Sequence, residues 1–201
     1  MQLSKSEVTA CITLVHEVVD HYKLNVLNSA RTMRSVEDLE WIVGVFLQKK
    51  VAIRSLKVPA AGKWIKAACV VTKDGEYEIY VLTGLDLDAR RFIICKELFH
   101  VVLDEEHRRN MDTFGHLQEV TTTFPVANSQ PNSAAACEYF AEASAMEFLF
   151  PYSERVTVLA AANGAGPNYS EIASRYGIPQ EYVESYLGAP LMDFFSQVMV
   201  D

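Results

Sequence analysis

Residues 90–104 read RRFIICKELFHVVLD, and the spacing of their apolar side chains decides the architecture. Phe92, Ile93, Ile94, Leu98, Phe99, Val101, Val102 and Leu103 cover most of a helical circumference, so the helix must be enclosed by other elements. Asp88 is the expected N-cap, with Ala89 in the first turn. Three polar residues interrupt the apolar surface: Lys96, Glu97 and His100. Lys96 and His100 are four apart and share one face.

This spacing is one residue away from the H-E-x-x-H helix of zinc peptidases. In that motif two histidines at i and i+4 hold the metal and the intervening glutamate is the general base. Here the positions read Lys96-Glu97-Leu98-Phe99-His100. Taken alone, Glu-x-x-His is better accounted for by a salt-bridged glutamate beside a satisfied core histidine, so the rest of the chain has to discriminate.

Upstream, Ser4-Lys5-Ser6-Glu7 is a capping-box pattern. Val8, Cys11, Ile12, Val15, Val18, Val19 and Tyr22 then form one helical stripe, with His16 and His21 beside or off it as surface or boundary residues. A second helix is expected from Val36 to Lys49, capped by Ser35, with Leu39, Ile42, Val43, Phe46 and Leu47 inward. The period then changes. Val51–Val58 reads as extended, and Lys66–Thr72 and Glu76–Leu82 flank Lys73-Asp74-Gly75, a hairpin signal. The order predicts an α+β domain with the 89–104 helix on a small antiparallel sheet.

Downstream, Glu105–Asn132 is a polar connection whose His107 and His116 read as solvated loop residues. Ser133–Phe150 is helical, ends at Pro151 and carries Glu138, Glu142 and Glu147. These carboxylates either form a solvent stripe or send one member towards His100. Tyr169–Leu187 has helix-turn-helix packing positions, but its second helix offers Gln180, Glu181, Glu184 and Ser185 with no lysine or arginine. A DNA-reading helix needs donors for phosphates and base edges. The tail is therefore expected to be a helical hairpin used for packing. The domain plan is an α+β unit over 1–151 and a helical tail over 152–201.

The 201 residues are half apolar and carry a net charge of −8, which opposes nucleic-acid binding. Cys11, Cys69, Cys95 and Cys137 form no CxxC pair. The opening MQLSKSEVTA lacks an apolar signal core, and no run is long enough for a membrane span. A cytoplasmic protein is expected, with no membrane partner.

Taken together, these segments resemble the ImmA/IrrE metallopeptidases. The resemblance rests on Arg90-Arg-Phe-Ile-Ile94 leading into positions 96–100, on Glu138-Tyr-Phe-Ala141-Glu142 through Ala145 and Glu147-Phe-Leu-Phe-Pro151, and on the segment from Ala173 to Pro179. It spans roughly Lys66 to Leu187. It implies a zincin-like core and an intracellular zinc-dependent protease acting on a repressor-type regulatory protein. By position it makes Glu97 the general base, and His100 and Glu138 metal ligands. Two positions depart: Lys96 replaces the first ligand, and Glu142 replaces an asparagine lining the site.

A lysine ammonium has no lone pair for zinc. Asp104, four residues after His100, is a weak substitute ligand. Alternatively Lys96 supplies the positive charge itself, close to Glu97 or Glu138. Two functions follow: a peptidase with an altered metal site that cuts or binds a regulatory protein, or a catalytically inactive pseudo-peptidase serving as a protein-binding module.

Overall fold

The computed structural model describes residues 5–57, 66–104, 133–162, 164 and 166–199. Helix α1, Lys5–Asn25, buries Val8, Ile12, Val15, Val18, Val19 and Tyr22, the stripe its periodicity predicts. Helix α2, Val36–Phe46, is capped by the Ser35 hydroxyl, which accepts from the Asp38 amide at 3.0 Å. It ends three residues earlier than its pattern suggested.

Three strands follow: β1 Val51–Leu56, β2 Ala67–Val71 and β3 Tyr77–Leu82. β2 and β3 are the expected antiparallel hairpin. Gly75 turns it with φ +76°, a conformation that costs glycine nothing. β1, however, runs parallel to β3, in the order β1-β3-β2, so the sheet is mixed rather than antiparallel. No tight turn joins β1 to β3, and strands joined indirectly have no local geometry forcing opposite directions.

Helix α3, Leu87–Val102, lies on β2 and β3 and packs against α2 and helix α4, Ser133–Leu149. Its N-cap is Asp86, which accepts from the Ala89 amide at 2.7 Å, and not Asp88. Asp88 instead sits in the first turn, where a carboxylate complements the helix dipole. Ala141, Ala143, Ser144 and Ala145 are buried, and their small side chains let α4 approach its neighbours closely.

Four shorter helices complete the described chain: α5 Tyr152–Ala161, α6 Tyr169–Tyr176, α7 Gln180–Leu187 and α8 Ala189–Val198. α6 and α7 are the predicted hairpin. Gly177 ends α6 in the left-handed region at φ +59°. α5 and α8 lie within the tail expected to be helical over 152–201, which gave neither helix bounds of its own; Leu191, Phe195 and Val198 of α8 are buried at helical spacing. Buried residues from α1 to α8 join one hydrophobic core. Among the described residues no helix is long and apolar enough to cross a membrane.

Two arginines tie this core together. Arg91 on α3 donates to the carbonyls of Tyr176 and Gly177, both at 2.6 Å, and to that of Arg34 at 2.5 Å. Arg34 in turn donates to the Phe148 carbonyl. The RRFII segment thus pins the α6–α7 turn to α3.

Candidate functional site

Two helices bring the site residues together. Lys96, Glu97 and His100 project from adjacent turns of α3, and Glu138 and Glu142 from adjacent turns of α4. Lys96 Nζ lies 2.5 Å from Glu138 Oε2 and 3.6 Å from Glu97 Oε1. His100 Nε2 lies 3.1 Å from Glu138 Oε1. The two oxygens of Glu138 therefore face two different α3 side chains. The histidine contact is close but poorly aligned, and Nε2 is buried without a well-directed hydrogen bond.

Electrostatics keeps this cluster charged. Burial opposes the charge on Lys96, but Glu97 and then Glu138 outweigh it and raise the lysine pKa. Burial likewise opposes ionisation of Glu138, yet His100 and Lys96 hold its pKa well below the usual carboxylate range. His100 is pushed up: desolvation is overcome by Glu138 and, further off, Glu97. Glu142 differs. Burial raises its pKa, and the Tyr186 hydroxyl donates to its Oε1 at 3.2 Å. Tyr182, stacked on Phe92 with ring centroids 3.9 Å apart, places a second α7 phenol near Glu142 and Lys96.

The remaining candidates go elsewhere. Asp104 is tied to the sheet, accepting from the Tyr77 hydroxyl at 2.6 Å. His107 and His116 lie outside the described residues. His16 meets Glu147 at 3.3 Å, and His21 stacks on Phe46 with centroids 4.3 Å apart. Glu147 is no part of a solvent stripe. It is buried, accepting from Arg155 Nη2 at 2.8 Å and from the Tyr152 amide at 2.9 Å. Arg155 was not singled out from the sequence. It is fully buried, its guanidinium against Phe195, Tyr186 and Tyr152 at 4.6, 5.5 and 5.6 Å from the ring centroids. A lone arginine between valine and glutamate in an apolar run carries no sequence signal that separates it from a surface residue.

The donor set that the described residues supply does not fit a zinc ion. Among the described residues no three His, Cys, Asp or Glu side chains form a group able to hold a metal. The position that needs a ligand carries an ammonium that its carboxylate neighbours keep protonated. What the helices assemble instead is a set of ion pairs in which Glu138 answers to both Lys96 and His100.

A sequence model of the IrrE N-terminal-like domain, the peptidase M78 family, matches residues 49–187. No curated protein matches the chain. The family match takes in all three strands, α3 and the helices through α7. The chain belongs to this peptidase family, whose members typically depend on zinc.

Proposed function

We propose that this domain is a peptidase-family member in which an internal cation replaces the metal, and that it serves as a protein-binding regulatory module. The observation that carries the reading is the Lys96–Glu138 ion pair at 2.5 Å. Losing even the hydrogen-bonded support of a metal ligand lowers affinity or activity about 10–100-fold, so losing a ligand costs more. Lys96 also relieves the repulsion that would otherwise set Glu97 against Glu138. The partner is a regulatory, repressor-type protein by family analogy. Direct nucleic-acid binding is not part of this function. The α7 surface is acidic: the helix carries Glu181 and Glu184 and no lysine or arginine, and Gln180 donates to Glu184. A cytoplasmic site of action is in keeping with the buried Cys95 and with Cys69, whose thiol burial pushes up to about 12.

A second reading, a peptidase with an altered site, draws on one observation. Glu97 and His100 keep the base-and-ligand spacing on α3, with Glu138 beside them. Asp104 gives that reading little help, because Tyr77 already occupies its Oδ2.

Metal analysis of the purified protein beside Lys96→His, together with cleavage of labelled casein, separates the two. The proposal expects little zinc and no cleavage in the wild type, and zinc uptake in Lys96→His. Stoichiometric zinc in the wild type that survives dialysis and disappears in His100→Ala would overturn it. So would casein cleavage lost in Glu97→Gln.

A further inference from the structure

Helix α3, which carries Lys96, lies on β2 and β3, and β2 is one edge of the sheet. The opposite edge is β1, and among the described residues no strand lies beyond it. Tyr77 donates its amide to the Lys50 carbonyl, and Thr83 to that of Leu56. In a parallel ladder this alternation turns the backbone groups of residues 50, 52, 54 and 56 towards β3. Those of Val51, Ile53 and Ser55 point the other way. Among the described residues this edge is unpaired, and an unpaired strand edge is a template for another chain.

A groove lies between one face of α2 and the β1 side of the sheet, and reaches Glu76, Tyr77 and Glu78 at the start of β3. Glu37, Glu40, Trp41, Gly44 and Val45 line it at helical spacing, facing Val51, Ala52 and Arg54. Trp41 and Val45 are 49% and 50% exposed, although both are large apolar residues. Trp41 meets Phe46 edge-on at 6.1 Å, and Phe46 stacks on His21, so the tryptophan has an aromatic neighbour on its own helix. The charges are unequally matched. Lys50 pairs with Glu76 at 2.8 Å, Arg54 with Glu78 at 2.7 Å, and Lys49 donates to the Val101 carbonyl at 2.5 Å. Glu37 receives only the Ser35 hydroxyl, and Glu40 has no cation beside it among the described residues. Burial and the neighbouring Glu37 both raise the Glu40 pKa, so an incoming cation would be welcome there.

We propose that this groove docks an extended segment of a partner polypeptide. The segment adds as a strand to β1, rests an apolar side chain on Trp41 and Val45, and sets a lysine or arginine opposite Glu37 and Glu40. Backbone bonds to an open edge give affinity, and the side-chain contacts give selectivity. A second copy of this chain is the poorer occupant. Self-pairing along β1 would bring two Glu37–Glu40 faces together on molecules that each carry −8. The same net charge draws a basic segment in. This surface is separate from the Lys96 cluster, and the inference stands whether or not that cluster is catalytic.

The test is selection from a random peptide library displayed on phage against the full chain, followed by amide-shift mapping and titration with the synthetic selected peptides. Expected binders alternate apolar residues and include lysine or arginine, and they shift the amides of Val51, Ile53 and Ser55. Trp41→Ala should weaken them about tenfold or more, as loss of an aromatic anchor does. Glu40→Lys should weaken them comparably. Ser55→Pro removes an outward N–H while sparing the bonds to β3, and should weaken them too. These three positions are exposed or half-exposed, and circular dichroism of each variant checks that it is folded. Binders that map elsewhere, that are acidic, or that ignore all three substitutions would overturn the proposal. So would concentration-dependent dimerisation through the same residues with no peptide bound.

Discussion

Glu138 holds Lys96 with one carboxylate oxygen, at 2.5 Å, and faces His100 with the other, at 3.1 Å. One α4 residue thus spans two side chains that share a face of α3, and the ammonium and the imidazole each face a different oxygen of the same carboxylate. With Glu97 at 3.6 Å, the lysine offsets two carboxylates rather than one.

Removing the lysine should therefore destabilise the fold. Lys96→Met keeps most of the aliphatic stem and deletes the charge, leaving Glu97 and Glu138 to repel each other. The expected loss is about 2 kcal/mol. That is below the ~3–5 kcal/mol of a fully buried pair, because Lys96 and Glu138 remain 20% and 30% exposed. Urea unfolding at neutral pH measures it, and adding Glu138→Gln should recover part of the loss.

Stability should fall on both sides of a middle pH range. Glu138 has a folded pKa depressed below its ordinary 4.5, so its contribution is present above that value and disappears as pH falls through the folded pKa. His100 has a folded pKa raised above 6.5, so its contribution is full below 6.5 and is lost as pH rises through the folded value. Urea midpoints against pH should show both limbs. His100→Asn should flatten the alkaline limb, and Glu138→Gln should flatten both.

The Glu147–Arg155 pair is the costliest to break. Both side chains are buried, 5% and 0% exposed, and among the described residues the guanidinium Nε and Nη1 have no hydrogen-bond partners. Glu147→Ala strands a cation among aromatic rings and frees the Tyr152 amide, for a loss of about 3–5 kcal/mol. Glu147→Leu combined with Arg155→Met should be clearly more stable than either single change, because no charge is left unpaired. Thermal unfolding of the two single variants and the double variant measures the coupling.

Gly177→Ala should cost about 1–2 kcal/mol. The residue sits at φ +59°, where a Cβ is disfavoured. That Cβ would also meet Met33 Cε at 3.0 Å and Arg91 Nη1 at 3.1 Å. Met33 can swing away, whereas Arg91 is held by three carbonyls. Urea unfolding of Gly177→Ala beside Gly177→Asn tests the backbone contribution, since asparagine tolerates the left-handed region better and should lose less.

Much was legible in the sequence because it is local. The 3.6-residue period marked α1, α2, α3 and α4, the Asp74-Gly75 turn marked the hairpin, and K-E-x-x-H followed by Glu138 pointed to the peptidase family. The spacing of Lys96 and His100 on one helix face needed no tertiary information, nor did the chemical objection to lysine as a zinc ligand. Residue types alone left open which of Glu138, Glu142 and Glu147 faces α3; the family resemblance singled out Glu138, and the Lys96–Glu138 contact is set by tertiary packing. The pair is 42 positions apart, and the choice depends on the depth and rotation at which α4 packs on α3. The same packing buried Glu147 against an arginine that no pattern marked, and drew Asp104 to Tyr77. The parallel pairing of β1 with β3 was likewise marked by no local pattern. Periodicity specifies which face of an element is apolar. The partner that a charged side chain finds is selected only when whole helices come together, because burying the charge is costly until an opposite one is in reach.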